Sequence, residues 1–214
     1  MAHYELPRRR RIFLMRHGDV TYFDDSGRAI DPESVPLNER GREEASAAGR
    51  EFAAQKIRFD RVIVSGLPRT VETARRVLAE TGQSIDPEIW PEWQEIRGGK
   101  LKDLTTSDIE RAFLFVFDGV VPEETRFLNG ETIGELLDRA LLSHAITAGG
   151  RAFFGHLSQA TGCINALDVG DKSGDWVVHA INHSPPSPLH ADVRNTTMEL
   201  LYAQFVRYKP GDMD

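Results

Sequence analysis

Ile12-Phe13-Leu14-Met15-Arg16-His17-Gly18 decides how this 214-residue chain is read. Four consecutive apolar residues closing on a cation and an imidazole form the pattern of a buried strand that delivers polar groups at its carboxyl end. In open α/β sheets ligands bind at that edge. Gly18 lets the backbone turn and lets a ligand come close. A guanidinium beside an imidazole suits an oxyanion such as phosphate. Read alone, the tripeptide serves equally as a strand end with two solvated side chains.

A second segment repeats the pattern. Asp60-Arg61-Val62-Ile63-Val64-Ser65 is a short apolar run closing on a polar residue, followed by Gly66-Leu67-Pro68-Arg69. Pro68 near a first turn, then Val71, Ala74, Val77 and Leu78 at helical spacing, predicts a strand-loop-helix unit. Arg69 falls in the first turn of that helix, beside unpaired backbone N–H groups and the positive end of the dipole, where anions bind.

Together these residues resemble the histidine phosphatase superfamily, which includes cofactor-dependent phosphoglycerate mutases and many small phosphatases. The matches are Arg16, His17 and Gly18, then Ser65, Arg69, Thr73 and Ala74 in an S-x-x-x-R-x-x-x-T-A pattern. Leu37-Asn38-Glu39-Arg40-Gly41 resembles the family's L-T-x-x-G, with Asn38 replacing one helix-capping residue by another. A helix over 42–59 follows, with Ala45, Ala48, Phe52, Ala53 and Ile57 as its apolar side. Glu95, Gly99 and Leu101 fit the family's E-x-x-x-G-x-(W/L), whose glutamate is the proton donor; Glu92 lies three positions out of register. The resemblance runs from about residue 11 to about 135. It implies an α/β fold, a three-layer sandwich with a mostly parallel central sheet flanked by helices. The expectation is a single domain over 1–214 with a lid-like insertion at about 100–130.

The same resemblance implies the chemistry. Neutral His17 attacks a phosphate ester without the charge repulsion an anionic nucleophile meets, forming a P–N bond that water later breaks. Arg16 and Arg69 hold the phosphoryl oxygens, with Asn38 as a further substrate-binding residue. Glu95 gives a proton to the leaving oxygen and then activates water, burial raising its pKa against the opposing pull of the arginines. No metal and no cofactor take part. The expected function is a phosphatase acting on a small phosphorylated metabolite through phosphohistidine. The alternatives are a mutase-type phosphotransferase and a catalytically impaired phospho-ligand binding module.

The family completes its phosphate pocket with a second histidine in a strand ending V-x-H-G, and no His-Gly follows residue 18. His144 is the nominee if 140–143 is a strand. Yet only about eighteen residues separate it from Cys163, fewer than a helix and loop need. Arg139-Ala140-Leu141-Leu142 resembles better the helix that follows the second histidine. Three readings stay open: a segment of roughly thirty residues, one βαβ unit, absent near Arg139; His144 serving in a shortened variant; or a protein without the second histidine. His156, His179, His183 and His190 read as surface residues with no metal-ligand spacing.

Composition agrees with one α/β domain: 40% of residues are hydrophobic, and the net charge of −7 argues against nucleic acid or an acidic membrane as partner. Arg8-Arg9-Arg10-Arg11 reads as a solvated lead into the first strand. No apolar run of membrane-spanning length and no apolar signal core appears, and Cys163 is the only cysteine. A buried structural thiol and a cytoplasmic location are the corresponding expectations. A helix is expected over 107–117, a loop over 119–130 and a helical start at 131–139, where Gly130-Glu131-Thr132 resembles the family's G-E-S. Phe113, Phe115, Phe117 and Phe127 serve either a leaving-group pocket or ordinary packing. Strands are expected at 164–169 and 176–181 around a turn at 171–174, a loop over 182–188 and a last helix over 196–208. The oligomeric state is open; the Phe-rich lid or the Trp176 hairpin could pair in a homodimer.

Overall fold

The computed structural model describes residues 8–26, 30–99, 105, 124–127, 130–132, 134–135, 159–171 and 175–186. Most of the expected lid, its Phe113, Phe115 and Phe117, the helices at 107–117 and 196–208, and His144, His156 and His190 lie outside the described residues.

β1 (Arg9–Met15) opens the fold. It begins three residues before the apolar run because two of its arginines find partners across the sheet. Arg9 bonds Asp175 at 2.5 Å, and Arg11 pairs with Asp168. α1 (Glu39–Ala54) starts three residues earlier than expected, since Asn38 caps it by accepting from the Gly41 N–H at 2.8 Å. It stops at Gln55, before the left-handed Lys56, so Ile57 and Phe59 reach the core from beyond the helix and Ala53 is exposed. β2 (Ile63–Val64) leads through Gly66 into α2 (Pro68–Thr81), which Pro68 starts and the left-handed Gly82 ends. Ala45, Ala48 and Gly49 keep the facing side of α1 small, and a side chain at Gly49 would collide with Val77 and Glu80. The helices therefore pack closely.

β3 (Glu88–Ile89) runs parallel to β2, and a short 3₁₀ turn (Pro91–Trp93) leads toward Glu95. β4 (Ile164–Gly170) and β5 (Trp176–His183) form a hairpin. β5 takes in His183, expected in a loop, whose Nε2 lies 2.7 Å from Glu51. His179 lies on the same strand, 2.8 Å from Asp168.

The fold is α/β, but the described strands do not form the mostly parallel sheet of a three-layer sandwich. Their three-stranded sheet has the order β1-β4-β5 with antiparallel neighbours, and only β2 and β3 pair in parallel. The physical reason is local: β5 follows β4 after five residues, too few for a parallel crossover, and β4 sets out beside the end of β1, Ile164 opposite Met15. The core is Ala48, Phe52, Val77 and Ile164 with Phe13, Met15, Ile57 and Phe59 against them. Phe13 and Phe59 each meet Phe52 edge-on at 5.1 Å. Burying Phe52 alone contributes roughly 1.5–3 kcal/mol. This core holds the ends of β1 and α2 together. Among the described residues no helix is long and apolar enough to cross a membrane.

Candidate active site

The end of β1 carries Arg16 and His17 onto the first turn of α2. Gly18 makes this possible: a side chain there would overlap the Gly41 carbonyl of α1, and one at Gly41 would overlap the Asp19 backbone. The Gly18 N–H donates to Thr73 Oγ1 at 3.2 Å, and that hydroxyl donates to the Arg69 carbonyl at 2.8 Å. Ser65, the other residue of this motif, shares a 3.2 Å hydrogen bond with Thr70 in the same turn. Three loops are thus drawn to one point.

His17 is held by both ring nitrogens. Nδ1 lies 2.7 Å from the Gly18 carbonyl oxygen, which can only accept, so Nδ1 carries a proton. Nε2 lies 2.6 Å from Glu95 Oε1. The other Glu95 oxygen accepts from Arg69 Nη2 at 3.0 Å. Glu95 therefore bridges the imidazole and the guanidinium. Arg69 also donates to the Pro32 carbonyl at 2.6 Å, while its buried Nε has no partner among the described residues. An unsatisfied buried donor costs about 1–3 kcal/mol and marks a site built for an acceptor the protein does not supply. Arg16 donates through Nη1 to the Gln159 carbonyl at 2.5 Å, and its charge acts on both Glu95 and Tyr22.

The electrostatics reverse one expectation. Packing around Glu95 does act to raise its carboxyl, but His17 through charge and hydrogen bond, then Arg69 and Arg16, outweigh it. The carboxyl is held below the ordinary range, so Glu95 is ionised here rather than poised as an acid. Its side chain keeps 43% of its surface exposed, against 3% for His17 and Arg69. Asn38 is bonded within the neighbouring loop and helix. Its oxygen caps α1, and its NH₂ donates to Asp19 at 2.8 Å and Thr21 at 3.2 Å. No hydrogen bond joins it to Arg16, His17, Arg69 or Glu95 among the described residues; its bonds shape the loop beside them. Glu92 is exposed.

Sequence reading missed three contributors. Tyr22 sits among the site's charges, its phenol pushed up to about 12 by burial and by Glu95 against the pull of Arg69 and Arg16. An aromatic five residues after a reactive histidine was the available signal. Glu131 accepts from the Arg97 N–H at 3.1 Å and its own N–H donates to the Arg97 carbonyl at 2.8 Å, tethering the loop that carries Glu95. Thr132 and Glu135 then close a reciprocal capping box at the expected helical start. Glu44 is the third, buried on α1 beneath the loop. Cys163 is buried as expected, with burial pushing its thiol up. Among the described residues no group of three or more His, Cys, Asp or Glu side chains is arranged to hold a metal ion.

This arrangement can bind a tetrahedral oxyanion between Arg16 and Arg69, beside an imidazole nitrogen and a carboxyl. Comparison with known proteins agrees in kind. The chain is 31% identical over 105 residues to a 2,3-bisphosphoglycerate-dependent phosphoglycerate mutase of Staphylococcus haemolyticus, 48% of this chain and 45% of that protein. It is 24% identical over 198 residues to fructose-2,6-bisphosphatase TIGAR B of Danio rerio, 88% of this chain and 75% of that one. The chain spans less than half the length of the first curated relatives it matches. The alpha-ribazole phosphatase of Shigella flexneri shares the fold with a TM-score of 0.62 at 22% identity, over 85% of this chain and 100% of that structure. The sequence profile of the histidine phosphatase superfamily (branch 1) matches residues 12–142, more than half the chain, and to that superfamily the chain belongs.

Proposed function

We propose that the chain hydrolyses phosphate monoesters of small metabolites through a phosphohistidine at His17, as a single domain in the cytoplasm that needs no metal or cofactor. The observation that carries this reading is the clamp on the ring: with Nδ1–H donated to the Gly18 carbonyl, Nε2 is the atom left to react. Its lone pair attacks phosphorus, the ester P–O bond breaks, and the leaving oxygen takes a proton from Glu95. Water then attacks phosphorus and gives a proton to Glu95. The P–N bond breaks and its electron pair returns to Nε2.

In-line attack places nucleophile and leaving oxygen on opposite sides of phosphorus, with reacting atoms about 3–3.5 Å apart. Glu95, at 2.6 Å from Nε2, lies where phosphorus must come. An entering phosphate therefore displaces it and takes over Arg69. The dianion also cancels the positive charge that keeps Glu95 ionised, so the carboxyl takes the proton of its hydrogen bond with Nε2 to the leaving-group side and frees the Nε2 lone pair for attack.

Incubation with p-nitrophenyl phosphate tests this. Turnover abolished in His17→Ala, together with an acid-labile phosphoryl label on wild type only, is the expected result. Turnover that survives His17→Ala overturns it. Absence of turnover with retained phosphate binding identifies a binding module instead. The match to a phosphoglycerate mutase favours one second reading, transfer to a hydroxyl rather than to water. Phosphorus NMR on phosphoglycerates separates the two, since only a mutase moves the phosphoryl group without releasing phosphate.

A further inference from the structure

We infer that Glu44 is a positioning residue that fixes the orientation and proton of His17 through the peptide joining Gly18 and Asp19. The inference rests on the reading of His17 as the phosphoryl acceptor. The peptide is bonded at both ends. Its carbonyl accepts the His17 Nδ1–H at 2.7 Å, and its N–H, belonging to Asp19, donates to Glu44 Oε2 at 2.9 Å. A carboxylate on the N–H side polarises the amide, leaving its carbonyl oxygen a stronger acceptor for the ring proton. The effect at Nε2 is that of a carboxylate placed directly on Nδ1, transmitted through one amide plane.

Glu44 holds the opposite side of the histidine as well. Its Oε1 accepts from the Thr161 hydroxyl at 3.0 Å, and the next residue, Gly162, donates its N–H to the His17 carbonyl at 3.1 Å. Gly162 has a left-handed backbone, and a side chain there would collide with the Glu44 Cβ. Arg40, one turn earlier on α1, donates to the same Oε1 at 2.8 Å. All three of these partners are donors, the pattern a carboxylate requires. The Glu44 side chain is 1% exposed. So buried an acid, unused by the chemistry itself and joined to both flanks of the reacting residue, has positioning as its function. A glutamine could keep only part of this, because its NH₂ would face at least one of the donors.

The test uses the full chain with ¹⁵N-labelled histidine. In wild type the His17 Nδ1–H proton is expected downfield and protected from exchange with water. In Glu44→Gln it is expected to move upfield and exchange at least about tenfold faster, with kcat falling roughly 10- to 100-fold and KM changing less than about threefold. A Glu44→Gln protein that melts lower yet keeps the wild-type ring signal and a kcat within about twofold overturns the inference, since that is a purely structural acid. If Glu44→Gln does not fold, Thr161→Val removes one donor at similar volume. A smaller shift of the ring proton in the same direction supports the inference, and an unchanged ring proton and kcat overturn it. Should wild type lack His17-dependent turnover, the phosphatase reading fails on its own, and the ring signal still decides the role of Glu44.

Discussion

Glu95 and Glu44 approach His17 from its two ring nitrogens, the first directly and the second through a peptide, and the regions that hold them differ in kind. Glu95 stands on the irregular stretch between the Pro91–Trp93 turn and the tether at Glu131, with nearly half of its side chain exposed. Glu44 stands in the second turn of a capped helix, sealed by donors from three segments. A group that must yield its place to a phosphate and return with a proton belongs on a loop. A group that must hold the ring still while phosphorus changes partners belongs on a helix.

The widest gap between them should open in Glu95→Gln. We expect kcat to fall about 10²–10⁴-fold, the range of a lost general acid and base. Vanadate should bind at least as tightly as in wild type, because the neutral amide competes less for Arg69 and His17. Infrared difference spectroscopy adds the proton: since Glu95 is ionised in the free protein, oxyanion binding should bring up a protonated-carboxyl band in wild type that Glu95→Gln lacks. Absence of that band would mean that Glu95 keeps its charge throughout and is no acid.

Legibility in the sequence divides along the same line. Arg16, His17 and Arg69 were readable because each sits at a strand end or a helix start, and Glu95 because Gly99 and Leu101 set its register in the family pattern it resembles. Their convergence is what that pattern requires. Glu44 was not readable, because charged residues on a predicted helix are solvated by default and only tertiary contact reverses this. Asn38 was legible as the cap of α1, because asparagine before a helical run supplies an acceptor for the first free N–H groups. The described strands depart from the mostly parallel sheet that the resemblance implies, and apolar runs alone announce strands without announcing their direction. β1 paired with β4, which lies 149 residues further on at its first residue, and that pairing depends on contacts no local pattern contains.

The sealed side can be pried open by Gly41→Ala. Its new methyl would overlap the Asp19 backbone, pushing the first turn of α1 away from the peptide that bonds His17 and Glu44. Thermal unfolding should show a loss of about 1–3 kcal/mol, the usual cost of overpacking. Catalysis should suffer with stability at this position, whereas Glu95→Gln should leave melting little changed. A folded, fully active Gly41→Ala protein would break the picture of a rigid support.

Tyr22→Phe probes the open side more gently. With its phenol held near 12, the hydroxyl stays protonated across the whole working range and can only donate to an anion beside it. Loss of such a donor is expected to lower kcat/KM about 3- to 10-fold, near the 1 kcal/mol of a single hydrogen bond. The alkaline limb of the pH profile should not move, because no proton is lost from Tyr22 below about pH 11. A limb that shifts in Tyr22→Phe would make the phenol an acid in its own right.

The smallest effect belongs to a third carboxylate that shares neither duty. Asp168 on β4 is held at about 2, below its usual 3.8, chiefly by the hydrogen bond from Arg11, which outweighs the opposing effect of burial, with His179 adding to the lowering. A folded pKa below the unfolded one contributes stability that is complete above about pH 4 and disappears as pH falls through about 2. The pair is near the surface, so the contribution at neutral pH should be about 1 kcal/mol or less. Asp168→Asn should therefore melt slightly lower than wild type at pH 7 and converge with it near pH 2, with turnover unchanged at neutral pH. Denaturant unfolding at the two pH values measures this. A neutral-pH loss several times larger would show that the β1-β4 pairing leans on its ion pairs, and that the support beneath His17 begins at the sheet edge rather than at α1.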